Sequence, residues 1–311
     1  MRNTTLCGAV ALTSLFALPA FAQDRASDDR PSLQRASFDG GPAISPSSAT
    51  ATVSASSVPQ AMERLSGDDT RLDLSLGTLY GAGKFGTNST TTIWSSAVSA
   101  RAHFNNLTLS ASLPWMQIRS RSTIVTGIDA TPVLVAANTS ATKRTVDGFG
   151  DLTLGAAYTI APAGSPVEVE LSGRAKINTA SRSSGLSSGA NDYAVGADVS
   201  LPLGTVTPFA SFTYRFLGDT NAYVLRNGPA ASTGASVALG REAFLVASYH
   251  YSSAATRQVS AAHELFAGAS QRLAGTPLRL TGFVTTGLSR GAAAISGGAS
   301  LSIGLGPRSG M

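Results

Sequence analysis

Residues 167–177 read VEVELSGRAKI, and their alternation constrains the fold more than any other feature of the chain. One set of alternate positions is Val167, Val169, Leu171, Gly173, Ala175 and Ile177. The other is Glu168, Glu170, Ser172, Arg174 and Lys176. Wound at 3.6 residues per turn, these charges would ring a helix on every side; extended, they fall on one face and the apolar residues on the other. The same period of two recurs in Leu72, Leu74 and Leu76 against Asp73, Ser75 and Gly77. It recurs again in Leu152, Leu154, Ala156, Tyr158 and Ile160, and in Tyr193, Val195, Ala197, Val199 and Leu201. A chain patterned this way is suited to strands that are apolar on one side.

Read in this manner, residues 71–305 predict strands near 71–82, 92–104, 106–118, 151–160, 167–177, 192–203, 206–217, 232–240, 243–251, 258–272, 278–289 and 294–304. That is about twelve strands of about ten residues, and ~9–11 residues is what a tilted strand needs to cross the hydrocarbon of a bilayer. Over 243–251 and 258–272 both faces carry apolar residues, so the alternation leaves their register open. Composition narrows the alternatives. Charged residues make up 13% of the chain although hydrophobic ones make up 43%, and ordinary soluble domains carry about 25% charge. Beyond the N-terminus no apolar run reaches the ~20 residues of a membrane helix, which excludes a helical transporter. The net charge of +5 is scattered rather than patched, which excludes a nucleic-acid partner. A membrane protein that spreads its apolar residues over alternate positions fits both facts: an all-β, transmembrane, antiparallel up-and-down β-barrel.

The connections agree. Those at 105–106, 161–166, 204–205, 240–242 and 274–277 are short and carry Asn, Gly or Pro. They alternate with longer links at 83–91, 119–150, 179–191, 218–231, 252–257 and 290–293. Outer-membrane barrels have short periplasmic turns and longer external loops, so the alternation predicts an even strand number and periplasmic N- and C-termini. Tyr80, Trp94, Trp115, Tyr193 and Phe216 fall toward the long-loop ends, and Phe104 and Tyr158 toward the short-turn ends, as the two aromatic girdles of such a barrel require.

The first residues are an address. Arg2, an apolar stretch from Cys7 to Leu18, and Ala20-Phe21-Ala22 form the three parts of a cleaved secretory signal over residues 1–22. Cys7, the one cysteine, lies inside it, so the mature chain is expected to have no disulfide. Residues 23–70 are rich in Ser, Ala, Pro, Asp and Arg. They cannot bury enough apolar area to offset ordering entropy, and read as a flexible periplasmic segment with one short helix at 60–65. Residues 71–311 are the barrel domain.

Several blocks carry a family resemblance. Residues 98–118 read VSARAHFNNLTLSASLPWMQI, a strand, a tight Asn turn and a strand ending in Leu-Pro-Trp. After a long loop comes Gly148-Phe149-Gly150-Asp151-Leu152-Thr153-Leu154. Further on are Lys176-Ile177-Asn178-Thr179, the Gly/Ser loop 185–189, Asp192-Tyr193, and Pro208-Phe209 running to Tyr214 and Gly218. Together these resemble the outer-membrane transporters grouped with the "meta-pathway of phenol degradation" proteins, over nearly the whole of 71–305. The resemblance implies a barrel and, loosely, passage of aromatic or other hydrophobic small molecules. Residues 298–303, GASLSI, look like the assembly signal by which barrel assembly machinery recognises a last strand.

For chemistry the sequence offers little. His103, His250 and His263 lie in no triad setting, no Gly-x-Ser-x-Gly elbow occurs, and no His pair has zinc spacing; we expect no enzyme, no cofactor and no metal. By parity, Asp73, Arg101, His103, Glu168, Glu170, Arg174, Lys176, Asp198, Arg215 and Arg279 share the face with Ser, Thr and Gly. An Arg or Lys turned to lipid at mid-depth would cost about 2–4 kcal/mol, so these residues are the candidate lumen lining. They can brace the wall or filter the solute, and both signs are present. Loop 119–150 holds Ile124, Val125, Val133, Leu134 and Val135. It is long enough either to fold into the mouth or to stand outside as a hairpin. The expected function is passive uptake of small molecules, hydrophobic or aromatic ones among them, through the outer membrane of a Gram-negative-type cell. Lipid, solute and assembly machinery are the expected partners. The alternative is a plugged structural or surface-interaction barrel.

Overall fold

The computed structural model describes residues 71–305 apart from 86, 129–131, 137–138, 163–164, 182–183, 221–223, 241 and 258–259. The expected signal, the 23–70 segment with its short helix, and the last six residues lie outside the described residues.

The described residues form fifteen strands: β1 (Arg71–Gly83), β2 (Thr91–Phe104), β3 (Leu107–Ser120), β4 (Thr123–Thr126), β5 (Pro132–Ala136), β6 (Arg144–Phe149), β7 (Leu152–Ile160), β8 (Glu168–Ile177), β9 (Asp192–Ser200), β10 (Val206–Phe216), β11 (Gly228–Leu239), β12 (Ala243–Ser252), β13 (Ala262–Arg272), β14 (Leu278–Gly287) and β15 (Ile295–Leu305). All except β4 and β5 pair antiparallel with their neighbours in one sheet. The ring closes where β1 pairs with β15, Leu72 opposite Leu305 and Ala82 opposite Ile295. β6 and β7 follow one another along β3 and act as a single interrupted strand, so the closed barrel has twelve staves. Closure leaves no edge, which is the device by which a cysteine-free barrel keeps every ladder hydrogen bond.

The interruption in β6/β7 has a local cause. Trp115 faces Phe149, but Ser112 faces Thr153, so one extra residue sits on the β6/β7 side: a bulge at Gly150-Asp151. Pro114 stands opposite and has no N–H to give the ladder; its carbonyl accepts the Gly150 N–H at 2.8 Å. A Cβ on Gly150 would meet the Pro114 ring at 3.0 Å, and Gly148 has φ +149°. The bulge re-aims the following residue, Asp151, whose side chain is 1% exposed.

The outer face is apolar. Leu76 is 59% exposed, Val98 62%, Val195 54% and Phe212 53%, and their sequence neighbours on each side lie on the opposite face. Contiguous apolar belts of this extent are not left to water by soluble monomers; the surface suits hydrocarbon. Tyr80, Trp94, Tyr193 and Phe216 at the long-loop ends, and Phe104 and Tyr158 at the short-turn ends, are all exposed on this face. The tight turn between β2 and β3 is Asn105-Asn106, with Asn105 at φ +53°, the left-handed geometry that a two-residue hairpin turn demands.

The predicted strands match those observed to within a few residues at most ends, with three differences. β13 begins at Ala262, four residues after the predicted 258. β11 begins at Gly228, four residues before the predicted 232, because Gly228-Pro229-Ala230-Ala231 are too small and uniform to show a period. Loop 119–150 is also not a loop throughout. It extends the wall as β6 and folds a separate hairpin, β4–β5.

Candidate functional site

The interior contains three zones. At the short-turn end the charged residues gather. Asp73, 6% exposed, pairs with Arg71 at 2.6 Å and faces His103 Nε2 at 3.2 Å. His103 Nδ1 meets Thr108 Oγ1 at 3.1 Å. Arg101 stands directly across from Asp73 in the β1–β2 register. On β8 and β9, Glu170 is opposite Asp198 and Glu168 opposite Ser200. Arg279 on β14 donates to Ser270 Oγ at 3.2 Å and lies over the Phe244 ring at 5.5 Å. An acidic group on β8–β9 thus occupies one arc of the ring, and arginines on β1–β2 and β14 occupy another.

The second zone is apolar and was hidden from sequence reasoning. Val246, Phe266 and Phe283 are buried together, with Leu79 and Phe209 packed against them. The Phe266 and Phe283 rings are stacked at 5.7 Å. These side chains share the inner face with Phe244 and Ser270, not the lipid face of Leu245 and Leu265. Their strands, β12, β13 and β14, are neighbours, while β1 and β10 lie at opposite points of the ring, so the cluster reaches across the interior. It explains why alternation failed to fix the register of 243–251 and 258–272: there the inside of the barrel is as apolar as the outside. The large rings have room because glycine lies beneath them. Phe283 is directly opposite Gly298, and a Cβ on Gly268 would meet Phe266 at 3.0 Å.

The third zone closes the long-loop end. Lys176, at the end of β8, has a side chain 1% exposed and forms ion pairs with Asp151 and Asp192, each at 3.1 Å. Its Nζ also donates to the Thr126 carbonyl at 3.2 Å and to Ser188 Oγ at 3.0 Å. Asp151 Oδ1 accepts the N–H groups of Thr179 and Ala180, and its Oδ2 accepts Ser187 Oγ–H at 2.7 Å. Asp192 Oδ1 accepts the Gly218 N–H at 2.9 Å. One polar knot therefore joins β7, β8, β9, the start of the β10–β11 connection, and β4.

Above it sits the β4–β5 hairpin. Ile124 and Leu134 pack with Phe85, Ile93, Met116, Ile118 and Leu186. Val125 and Val133 pack with Leu217, Leu225 and Ala255. In the first group Phe85, Ile93, Met116 and Ile118 belong to the β1–β3 side and Leu186 to the β8–β9 connection; the second group lies on the β10–β13 side. A hairpin apolar on both faces is thus wedged between opposite walls. Sheet faces pack about 10 Å apart, and twelve tilted strands enclose a ring about 24 Å across, so two such spacings nearly span the mouth.

Of the candidate lining residues, the structure brings Asp73, Arg101 and His103 together, pairs Glu170 with Asp198, and sets Glu168 and Arg279 near the same end. Lys176 stands apart in the knot. Arg215, 7% exposed, donates to the Ser253 carbonyl at 2.9 Å, and Arg174 lies between the two ends, opposite Gly155 and Ala194. Asp151 and Asp192 were missed; the Gly-x-Gly-Asp block was the signal that a turned-in carboxylate follows the bulge. Among the described residues no group of three His, Cys, Asp or Glu is placed to hold a metal ion.

No family model matches the chain, and no curated protein matches it. Solved structures with a similar course of chain include the CymD monoaromatic hydrocarbon channel, at 11% identity and a TM-score of 0.43, covering 78% of this chain and 89% of that one. The translocator domain of autotransporter NalP from Neisseria meningitidis is similar at 13% identity and a TM-score of 0.46, covering 80% and 92%. A Pseudomonas aeruginosa FadL homologue is similar at 10% identity and a TM-score of 0.37, covering 76% and 90%.

Proposed function

We propose that this protein is an outer-membrane channel for passive uptake of small molecules, hydrophobic and aromatic ones among them. One observation carries the reading. A closed ring with a lipid-suited exterior holds, between a charged zone at one end and a polar knot at the other, an apolar band with Phe266 and Phe283 at its centre. Such a band gives an apolar solute a place to leave water. In this reading residues 1–22 direct export and are removed, both termini face the periplasm, and barrel assembly machinery inserts the domain. Asp73, Arg101, His103, Glu168, Glu170, Arg174, Lys176, Asp198, Arg215 and Arg279 belong to the inner wall. With both signs present at the short-turn end, ion selectivity is weak. No covalent chemistry and no cofactor enter the proposal.

The test is solute flux into liposomes that carry the folded protein, using a neutral aromatic and a sugar of similar size, alongside conductance in planar bilayers. The aromatic should pass faster, and Phe266→Ala with Phe283→Ala should narrow the difference. A folded barrel with neither conductance nor solute flux, both as it stands and with residues 123–136 replaced by a short linker, overturns the reading. It would leave a sealed structural or surface-interaction barrel, which the hairpin wedged in the mouth favours.

A further inference from the structure

The β4–β5 hairpin is held differently from every other strand. Its two strands pair with each other in a sheet of their own and contribute nothing to the barrel ladder. Removing it from the mouth breaks no hydrogen bond of the closed ring. Its neck is drawn together by Arg121 and Ser140: the Ser140 N–H donates to the Arg121 carbonyl, and Arg121 Nε returns a bond to the Ser140 carbonyl at 3.2 Å. Above that neck β4 and β5 are joined to each other by their own ladder.

What fixes it in place is apolar packing on both faces and a few polar attachments. Thr126 donates its N–H, and its Oγ1–H at 2.9 Å, to the Leu186 carbonyl. Thr256 Oγ1 donates to the Leu134 carbonyl at 3.2 Å. Lys176 donates to the Thr126 carbonyl. The last of these is unlike the others. Its donor is a charged group already committed to two buried carboxylates on the wall, so the hairpin is tied to the ion-pair knot itself. Charge-assisted hydrogen bonds in such a dry setting are about twice as strong as neutral ones.

We propose that the β4–β5 hairpin is the gate of the channel and that Lys176, gripping the Thr126 carbonyl from the Asp151–Asp192 pair, is its latch. The inference rests on the channel reading above and adds the control of that same path. It also says what kind of solute opens the gate. The surfaces uncovered when the hairpin leaves are apolar on both sides, Met116 and Leu186 on one and Leu217 and Leu225 on the other. Exposing them to water opposes opening. An apolar solute that covers them shifts the balance toward the open state, and a polar solute of the same size does not.

The experiment is a reversible lock. Thr126 and Ser187 are partners in a parallel bridge; paired strands lie about 4.8 Å apart, within the ~4.4–6.8 Å that a disulfide spans between Cα atoms. Residues 71–305 contain no cysteine to interfere, and Cys7, the one cysteine of the chain, lies in the segment read as a cleaved signal. The double variant Thr126→Cys, Ser187→Cys is reconstituted in planar bilayers and measured oxidised and then reduced, on the same membranes. We expect oxidation to abolish conductance and flux of the aromatic solute, and reduction to restore both to at least the wild-type level. Lys176→Met, checked for folding by heat-dependent gel mobility, should raise open probability about tenfold, the scale of losing one hydrogen bond from a charged donor. Equal conductance in the oxidised and reduced states overturns the gate and leaves the channel standing. If the oxidised, reduced and Lys176→Met proteins, and one with residues 123–136 replaced by a short Gly/Ser linker, are all folded and all silent, the channel reading fails and the gate falls with it.

Discussion

Lys176 is a charge that the fold keeps almost wholly out of water, and what surrounds it explains how. Taking an ion out of water costs several kcal/mol unless partners replace the hydration. Here two carboxylates, a hydroxyl and a backbone carbonyl do so. The same solvation argument, applied to the other face of the wall, yields a comparison between single residues. Val195, 54% exposed near the middle of β9, is a lipid-facing position, and Val195→Arg there should cost about 2–4 kcal/mol. Glu170 is buried and faces Asp198, a like charge, so Glu170→Ala should assemble normally. Heat-modifiable migration on gels reads both: we expect loss of the folded band for the first variant and its retention for the second. The reverse ranking would mean that the inner and outer faces have been exchanged.

Elements depend on small residues set against large ones. Gly298 on β15 lies beneath Phe283 on β14, and a Cβ there would come within 2.3 Å of the Thr78 carbonyl and 2.8 Å of the Phe283 ring. We expect Gly298→Val to destabilise the barrel by about 1–3 kcal/mol, the usual cost of overpacking, seen as a lower temperature for the gel-mobility transition. Gly173→Ala on β8, where an added Cβ meets nothing within 4 Å, should leave that temperature unchanged. These pairs also show where the sequence is legible and where it is not. The period of two in 167–177 and 192–200 defines β8 and β9 because one neighbour is lipid and the other is polar, so the two faces differ in kind. Around Phe244, Val246 and Phe266 both neighbours are apolar, and the period vanishes although the strands are equally regular. The hairpin is harder still to foresee. Thr126 meets Leu186 at a separation of 60 residues and Leu134 meets Thr256 at 122, so nothing within the 119–150 segment states which of its apolar residues face which wall. The charged residues were legible as a face, but their division into a short-turn cluster and a buried knot depends on partners that only the ring brings together.

For the whole molecule, the balance of apolar surface decides the environment. The exterior offers Leu, Val and aromatic side chains along every stave, and the strands of the wall pair with one another all round the ring, so the domain can do without water around its middle. One consequence concerns time. Because β1 meets β15, Leu72 pairs early with Ala102 of β2 but waits for Leu305 on its other side, and the last strand must be delivered before the first can be paired on both edges. Contacts that distant in sequence form slowly, and until then two unpaired edges are open to any other strand. The nascent domain therefore needs both edges shielded until β15 docks, and a chain stopped before Ile295 leaves them open. We expect such a truncation, expressed beside the full-length protein, to be degraded or aggregated and never to appear as a smaller heat-modifiable band; an eleven-stave barrel stable in the membrane would show that the seam can be made elsewhere.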